Sequence, residues 1–295
     1  IDYMIAEYKA GRTPNPDVMC NKEIKFGLFL GKALEMGADY IATGHYVRGA
    51  RSATAGMLEM RSLFVAKDDN KDQSYFLWTL GQEQLRYCLF PIGEYQKPEV
   101  RSLARKFGLP TAEKKDSQGL CFVGKVDFKD FLKRYILPRK GEVLDEGGEI
   151  LGEHDGAWFY TLGERHGFRV VKKSPNDRAL YVIAKNVEDN TLTVARNAKS
   201  KIPAFTPSGV RAGKQMPNEV QISDVNWTRG EEPDLKAKYF ARVRYRQKLE
   251  ACKIYPAGNK AYQIIFKKNQ PIAAAGQSLV LYTEDGEMVG GGVII

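Results

Sequence analysis

Apolar positions in the first part of the chain recur at helical spacing and are interrupted by one short apolar run. In residues 21–37, Ile24 and Leu28 form one row and Phe26 and Leu30 a second, which predicts a helix. Residues 40–42 then form a short apolar run that stops at a glycine-containing loop. A helix, a buried strand and such a loop are typical of an open α/β sheet, whose ligands bind at the carboxyl ends of strands.

The hydrophobic pattern changes from helical to β-type at about residue 140. Before that point, helices are also predicted for residues 1–10, 72–80, 97–107 and 128–135. After it, short alternating runs are separated by Gly, Asn and Asp turns, including a hairpin around Asp189-Asn190. This spacing predicts a small antiparallel barrel or sandwich, and prolines near residues 200–210 separate two β-rich regions.

The composition favours an anionic binding partner and argues against a membrane-spanning or disulfide-rich protein. The 295 residues carry a formal net charge of +9, which suits a nucleic acid without requiring one. No apolar run reaches the roughly 20 residues that a membrane-spanning helix needs. Four cysteines in so long a chain do not form a disulfide framework, so we expect a reducing, cytoplasmic location.

Two cysteines lie in turn-rich segments that precede predicted helices. Cys20 follows residues 13–17, Thr-Pro-Asn-Pro-Asp, and Cys121 lies in the Gly-Leu-Cys-Phe segment 119–122. Such positions expose a thiol and favour the thiolate, and the nearby carboxylate of Asp17 suits general acid–base chemistry. From these residues alone, sulfur transfer, thiol–disulfide exchange, a metal site and two buried structural cysteines all stay open.

The spacing of cysteines and histidines argues against a structural zinc site. The sequence has no Cys-x-x-Cys pair, and His45, His154 and His166 show no ligand spacing. Cys88 and Cys252 lie in apolar or strand-like surroundings, which is typical of structural cysteines.

Residues 236–247 alternate between an apolar face and a face with Arg242, Arg244 and Arg246. Three arginines on one strand face suit phosphate binding, and Tyr245 suits stacking or packing. A solvated edge strand protected by its charges is the alternative interpretation.

Two polar segments follow the predicted strand. Gly44 would let a flat base or sugar approach the backbone, although a glycine after a strand is also an ordinary turn. In residues 70–74, Asn-Lys-Asp-Gln-Ser, Asp72 suits a helix cap or, with its neighbours, contact to phosphates or base edges.

Together these motifs resemble the MnmA/TrmU family of tRNA-specific 2-thiouridylases. The similar segments keep the family order and are Gly11–Asp17 with Cys20–Phe26, Ala42–Tyr46, Asn70–Leu77, Asp116-Ser117 with Gly119–Phe122, Tyr160–Gly163, Arg244–Gln247 and Gly276–Ser278. The resemblance implies an α/β plus all-β fold. A partial ATP-pyrophosphatase (adenine nucleotide alpha hydrolase-like) α/β domain is expected at residues 1–135. A small central β-rich domain is expected at 136–202 and a C-terminal antiparallel β-barrel at 203–295.

The resemblance also implies a reaction. Members use ATP, with Mg²⁺, to adenylate the C2 oxygen of the wobble uridine of tRNA, and a persulfide then supplies sulfur. Cys121 matches the persulfide cysteine, Cys20 the thiol that ends in a disulfide with it, and Asp17 a proposed acid or base. The implied partners are tRNA and a persulfide sulfur-donor protein. The oligomeric state stays open.

Binding residues are implied by the same resemblance. Gly44 matches a nucleotide-binding position. The positions that match tRNA contacts are Asn15, Pro16, Asp17, His45, Lys71, Asp72, Gln73, Arg244, Tyr245 and Gln277.

One departure from the family concerns its Ser-Gly-Gly-x-Asp-Ser phosphate loop, which the sequence does not contain. We therefore expect the chain to be a fragment that begins after that loop and binds ATP poorly. The alternative hypotheses are a non-catalytic fragment that only binds tRNA and a generic thiol oxidoreductase.

Overall fold

The computed structural model describes residues 1–52, 60–114, 128–171, 179–196, 218–271 and 273–295. The predicted site segment around Cys121 lies outside these residues. In the described ranges the helices are α1 (Asp2–Lys9), α2 (Pro16–Met19), a π-helical segment (Cys20–Phe29), α3 (Leu30–Glu35), α4 (Gln82–Leu85), α5 (Lys97–Lys106) and α6 (Phe128–Lys133), with 3-10 turns at Ser74–Phe76 and Ala157–Phe159.

The strands of the described ranges fall into four sheets. They are β1 (Ile41–Ala42), β2 (Arg48–Ser52), β3 (Met60–Phe64), β4 (Cys88–Leu89), β5 (Gly141–Leu144), β6 (Ile150–His154), β7 (Arg169–Val170), β8 (Tyr181–Asn186), β9 (Thr191–Ala195), β10 (Glu219–Trp227), β11 (Tyr239–Arg242), β12 (Glu250–Pro256), β13 (Tyr262–Phe266), β14 (Ser278–Tyr282) and β15 (Met288–Ile294). The α-helices of the described ranges all end before residue 140 and β5 to β15 all follow it, which agrees with the change in hydrophobic pattern.

The helical segment that carries Cys20 runs without a break from Pro16 to Glu35. The Asn15 side chain caps it, since its Oδ1 accepts hydrogen bonds from the backbone N–H groups of Asp17 at 3.2 Å and Val18 at 3.3 Å. The helix therefore starts before the predicted Asn21, and Cys20 lies inside it rather than in the preceding loop.

The π-helical stretch decides which side chains of this helix face inward. Its buried positions are Cys20, Asn21 and Phe26, and the step from Asn21 to Phe26 is five residues. This is the wider spacing that i→i+5 hydrogen bonding produces. Ile24 and Leu28, predicted as an apolar row, are 44% and 71% exposed. That prediction is wrong because Phe26 and Leu30 pack into the core and the Ile24–Leu28 row lies on the opposite face of the helix.

The α/β character predicted for the first part of the chain is confirmed. β1 and β4 pair in parallel, with Ile41 opposite Cys88, and β2 and β3 form a hairpin. Between β3 and β4, residues 72–80 contain the 3-10 turn Ser74–Phe76 and not the predicted helix. Side chains of this segment are instead bound to the barrel.

The middle of the chain forms a sheet of five strands in the order β7-β6-β5-β9-β8. The predicted hairpin is present between β8 and β9, and Asn190 in its turn has a φ of +54°. Helices α1 and α6 share this sheet's core, where Tyr8 and Leu132 pack with Val143 and Leu192.

The C-terminal strands close into a barrel in the order β10-β13-β12-β11-β14-β15, with β10 bonded to β15. This confirms the predicted antiparallel barrel. At Gly291 an added Cβ would lie 2.7 Å from the Leu279 carbonyl oxygen and 2.9 Å from the Trp78 ring. Glycine at this position therefore lets the segment after Ser74–Phe76 pack against the barrel wall.

A buried ion pair joins the α/β region to the barrel. The Asp72 carboxylate accepts hydrogen bonds from the Arg242 guanidinium, from Ser74 Oγ at 3.0 Å and from the Ala66 N–H at 3.1 Å. Arg242 also donates to Ser74 Oγ at 2.9 Å and to the Tyr282 hydroxyl at 2.7 Å. We name Asp72, Ser74, Arg242 and Tyr282 the Asp72–Arg242 latch.

The latch corrects the prediction of three arginines on one exposed strand face. Arg242 is only 5% exposed, and β11 ends at this residue. Arg244 and Arg246 therefore lie in the loop between β11 and β12, where strand alternation no longer determines their direction.

Further side-chain bonds attach the same segment to the barrel. The Tyr75 hydroxyl donates to the Ser278 carbonyl at 2.8 Å, and Trp78 Nε1 donates to Ser278 Oγ at 2.9 Å. Asn226 Nδ2 donates to the Trp78 carbonyl at 2.7 Å. These bonds explain why the segment is held in an irregular conformation instead of a helix.

None of the helices within the described ranges is long and apolar enough to cross a membrane.

Replacing Arg242 by Ala should destabilise the protein strongly, because it leaves the Asp72 carboxylate buried without its cation. We expect a loss of about 3–5 kcal/mol in the free energy of unfolding, measured by urea denaturation. The matched control is Lys238→Ala, which breaks an exposed pair with Glu284 at 2.8 Å and should cost less than about 1 kcal/mol. Equal losses in the two variants would contradict the role of the latch.

Candidate functional site

Gln277, one of the predicted site residues, is held against the loop that precedes α2. Its Nε2 donates to the Thr13 carbonyl at 2.7 Å, while the Thr13 N–H donates to the Ala275 carbonyl at 2.8 Å. Gly276 has a φ of +89°, and an added Cβ would lie 2.9 Å from the Thr13 backbone. The barrel loop and the Asn15-Pro16-Asp17 turn are therefore neighbours.

Aromatic contacts bring Tyr245 to the same place. Asn21 Nδ2 donates to the Phe76 carbonyl at 3.2 Å, and the Phe76 and Tyr245 rings lie 4.5 Å apart between centroids. The Tyr75 hydroxyl is also in hydrogen-bonding contact with the Asn15 side chain. The structure thus brings together the Asn15–Asp17 turn, the 71–76 segment, the turn with Tyr245, and Gln277.

Asp17 is half-buried and lies close enough to Lys25 for the two charges to interact. Burial raises the pKa of the Asp17 carboxyl, and the charge of Lys25 opposes this rise. Lys25 Nζ lies 3.5 Å from His45 Nε2. Lys25 is a candidate site residue that the sequence did not indicate, because the π-helical stretch that carries it changes which side chains share a helix face.

His45 is a buried neutral ring behind Gly44. Its Nδ1 lies 2.9 Å from Thr43 Oγ1, and its ring packs 5.7 Å from Phe26 between centroids. Burial, with the neighbouring charge of Lys25, lowers the pKa of His45 to about 3. Gly44 itself is exposed, and an added Cβ would meet nothing within 4 Å. Open space therefore follows the carboxyl end of β1.

The three residues of the Lys71-Asp72-Gln73 motif have different surroundings. Asp72 lies in the latch, 3% exposed, where its carboxylate supports the loop. Gln73 pairs with Tyr46, since its N–H donates to the Tyr46 carbonyl at 2.8 Å and its Oε1 accepts from the Tyr46 N–H at 3.0 Å. Lys71 is half-buried. Direct contact of these side chains with tRNA stays a prediction.

Arg244 connects the barrel to the middle sheet. Its Nη2 donates to the Leu162 carbonyl at 2.8 Å, within the Tyr160–Gly163 segment. The side chain is half-buried, and burial lowers the pKa of its guanidinium. In this structure Arg244 fixes the Tyr245 turn, and its contact with tRNA stays a prediction.

Cys20 is 4% exposed and begins the π-helical segment. The expectation of an exposed thiol in a loop is therefore wrong for this residue. Its predicted partner, Cys121, lies outside the described residues, so the pairing of the two stays a prediction. For the other two cysteines, burial raises the thiol pKa of Cys88 and of Cys252 to about 12, as expected for inert structural cysteines.

Three protein-family models match consecutive parts of the chain. The tRNA methyl transferase HUP domain matches residues 1–125, and the tRNA methyl transferase PRC-barrel domain matches residues 129–196. The aminomethyltransferase beta-barrel domain matches residues 218–294. The third range contains the closed barrel.

Similar proteins are found among curated sequences, and three from different bacteria are each named tRNA-specific 2-thiouridylase MnmA. The protein from Legionella pneumophila is 43% identical over 293 residues, which cover 99% of this chain and 76% of the relative. The one from Thiobacillus denitrificans is 44% identical over 294 residues, 99% of this chain and 77% of the relative. The one from Idiomarina loihiensis is 45% identical over 298 residues, 99% of this chain and 75% of the relative.

This chain thus spans about three quarters of the length of those relatives. Identity at this level extends over nearly all of its residues and over all three matched domains. The chain belongs to the MnmA/TrmU family of tRNA-specific 2-thiouridylases.

Proposed function

We propose that this protein is a tRNA-uridine 2-sulfurtransferase that thiolates C2 of the wobble uridine, position 34, of tRNA. The observation that carries the proposal is the meeting of four family motifs around Asp17 in a chain whose relatives bear that name. The net charge of +9 supports a polyanionic substrate.

The target base, in this proposal, lies against the Asn15-Pro16-Asp17 turn. Asn15 and Pro16 give this turn a fixed shape, because Asn15 caps the helix and Pro16 begins it. The raised pKa of Asp17 suits a general acid or base that exchanges a proton with the uracil ring. Other matched residues contact the bound RNA or hold the neighbouring loops in place. They are His45, Lys71, Gln73, Tyr245 and Gln277.

ATP is the proposed cosubstrate, with Mg²⁺, and it supplies the adenylyl group that turns the C2 oxygen into a leaving group. The open space beside Gly44 fits a nucleotide that approaches the backbone at the end of a parallel strand. Gly44 is the described residue to which we assign this contact.

Sulfur transfer is proposed to use Cys121 and Cys20. A donor protein leaves a persulfide on Cys121, and its terminal sulfur bonds to C2 as the adenylated oxygen departs with AMP. The Cys20 thiolate then bonds to Cys121 Sγ and breaks the sulfur–sulfur bond, which leaves the sulfur on C2. The two cysteines are oxidised to a disulfide as the transferred sulfur is reduced, so the electrons balance. An external thiol reductant restores both cysteines.

Replacing either Cys20 or Cys121 by Ala should abolish thiolation and leave tRNA binding intact, because each thiol takes part in a covalent step. The full-length gene is expressed in cells that lack their own enzyme, and 2-thiouridine in their tRNA is quantified by mass spectrometry. Binding of an unmodified tRNA transcript to each purified variant is measured in parallel.

Cys252→Ala is the matched control, since that thiol is buried inside the barrel and should support normal thiolation. Normal 2-thiouridine in the Cys20 or Cys121 variant would refute the sulfur-transfer mechanism. Normal tRNA binding by a wild-type protein that forms no 2-thiouridine would favour the tRNA-binding alternative.

Asp17→Asn should lower the rate of thiolation by about 10²–10⁴-fold with little change in tRNA affinity, because the amide cannot exchange the proton. As the base that takes a proton from the uracil ring, Asp17 must be ionised, so the wild-type rate should fall as the pH drops through its raised pKa. This acidic limb should be missing from the residual activity of the variant. A variant that keeps the wild-type pH–rate profile would show that Asp17 is not the titrating group.

A further inference from the structure

Of the three arginines in residues 242–246, the structure leaves Arg246 exposed. Arg242 is buried in the latch, and Arg244 is half-buried and bonded to the Leu162 carbonyl. The guanidinium carbon of Arg246 lies 5.1 Å from the centroid of the Tyr245 ring.

The Tyr245 ring packs in turn on Phe76, whose carbonyl accepts a hydrogen bond from Asn21 in the helix that carries Cys20. An exposed planar cation therefore stands at the end of an aromatic row that leads into the candidate site.

The backbone of Arg246 is in a conformation that does not favour arginine. The Gln247 N–H donates to the Arg244 carbonyl at 3.2 Å, which closes a turn, and Arg246 within it has a φ of +64°. Glycine or asparagine is preferred at such a position because other side chains crowd the backbone. Strained residues of this kind cluster at functional sites.

Side-chain hydrogen bonds hold the turn that carries Arg246. Gln247 Oε1 accepts from the Val243 N–H at 3.0 Å, and Gln247 Nε2 donates to Gln270 Oε1 at 2.7 Å. These bonds hold the turn against the loop that follows β13, where Lys267 is exposed. Lys248 is exposed on the other side of the turn. In the same two loops Lys268 is paired with Glu250, so Lys248 and Lys267 are the exposed lysines left to add positive charge to this part of the surface.

We propose that Arg246 binds a backbone phosphate of the RNA strand that presents the target base. The planar guanidinium matches phosphate geometry, and its contact with Tyr245 holds it in place before RNA arrives. The side chain of Arg246 is exposed, whereas Arg242 and Arg244 donate hydrogen bonds to groups of the protein itself. The inference rests on the proposed function, since it assumes that the protein binds tRNA.

Lys260 offers a matched control for both the charge and the backbone. It is exposed and has a φ of +57°, in the hairpin turn between β12 and β13. This turn lies at the opposite end of β12 from Arg246, roughly 20 Å away at about 3.3 Å per residue. Replacing Lys260 by Asn therefore removes one cation from the same kind of backbone without touching the aromatic row.

The experiment compares Arg246→Asn, Arg246→Lys and Lys260→Asn in the full-length protein. Affinity for an unmodified tRNA transcript is measured across a salt series, and the melting temperature of each variant is measured without RNA. Asparagine tolerates positive φ, so both Asn variants should melt at or above the wild-type temperature. Arg246→Asn should lose about tenfold in affinity near 0.1 M salt, and its log–log salt slope should fall by about 0.7–0.9. Arg246→Lys should keep the slope with intermediate affinity, and Lys260→Asn should bind like the wild type.

Wild-type affinity and slope in Arg246→Asn would overturn the inference while leaving the proposed function intact. An equal loss in Lys260→Asn would also overturn it, because the effect would then be one of overall charge. A clear drop in the melting temperature of Arg246→Asn would assign this residue a structural role instead. A wild-type protein that binds no tRNA would refute the proposed function and this inference with it.

Discussion

The buried ion pair between Asp72 and Arg242 holds the candidate site together. It joins the segment with Lys71 and Gln73 to the strand whose continuation carries Arg244 and Tyr245. Two charges removed from water are tolerated only when each is fully hydrogen-bonded, and in the latch Ser74, Tyr282 and the Ala66 N–H supply the remaining bonds. A shift of the barrel relative to the α/β region would leave a charge buried and unpaired, so the two regions behave as one unit.

Several residues of the family motifs use their polar groups within the protein. Gln277 binds the Thr13 carbonyl, Gln73 pairs with Tyr46, and Arg244 binds the Leu162 carbonyl. Each bond fixes a loop at the edge of one region against a neighbouring loop. Such preorganisation means that little ordering remains to be done when a substrate binds. Motif residues of this kind position the site, while exposed groups such as Gly44 and Arg246 are available for contact.

The electrostatics of the site follow from burial. Asp17 is partly removed from water, which favours its protonated form, and Lys25 limits this effect. Deep burial, with the charge of the same lysine, lowers the pKa of His45 and keeps its ring neutral. A carboxyl with a raised pKa near Lys25, whose Nζ lies 3.5 Å from the His45 ring, is a suitable setting for proton exchange with a bound base.

Local sequence patterns were enough to predict several elements of the fold. Helix α5, the β8–β9 hairpin and the strands of the barrel follow from periodicity and turn residues close in the chain. Most residues of the candidate site were also named in advance, because they belong to sequence segments that resemble the family motifs. Tertiary structure alone decided the burial of Arg242, whose partner lies 170 positions away, and the irregular form of residues 72–80. It also decided that Ile24 and Leu28 face solvent and that Arg246 is the exposed arginine. Burial and ion pairing depend on residues distant in sequence, and these long-range contacts override local period and propensity.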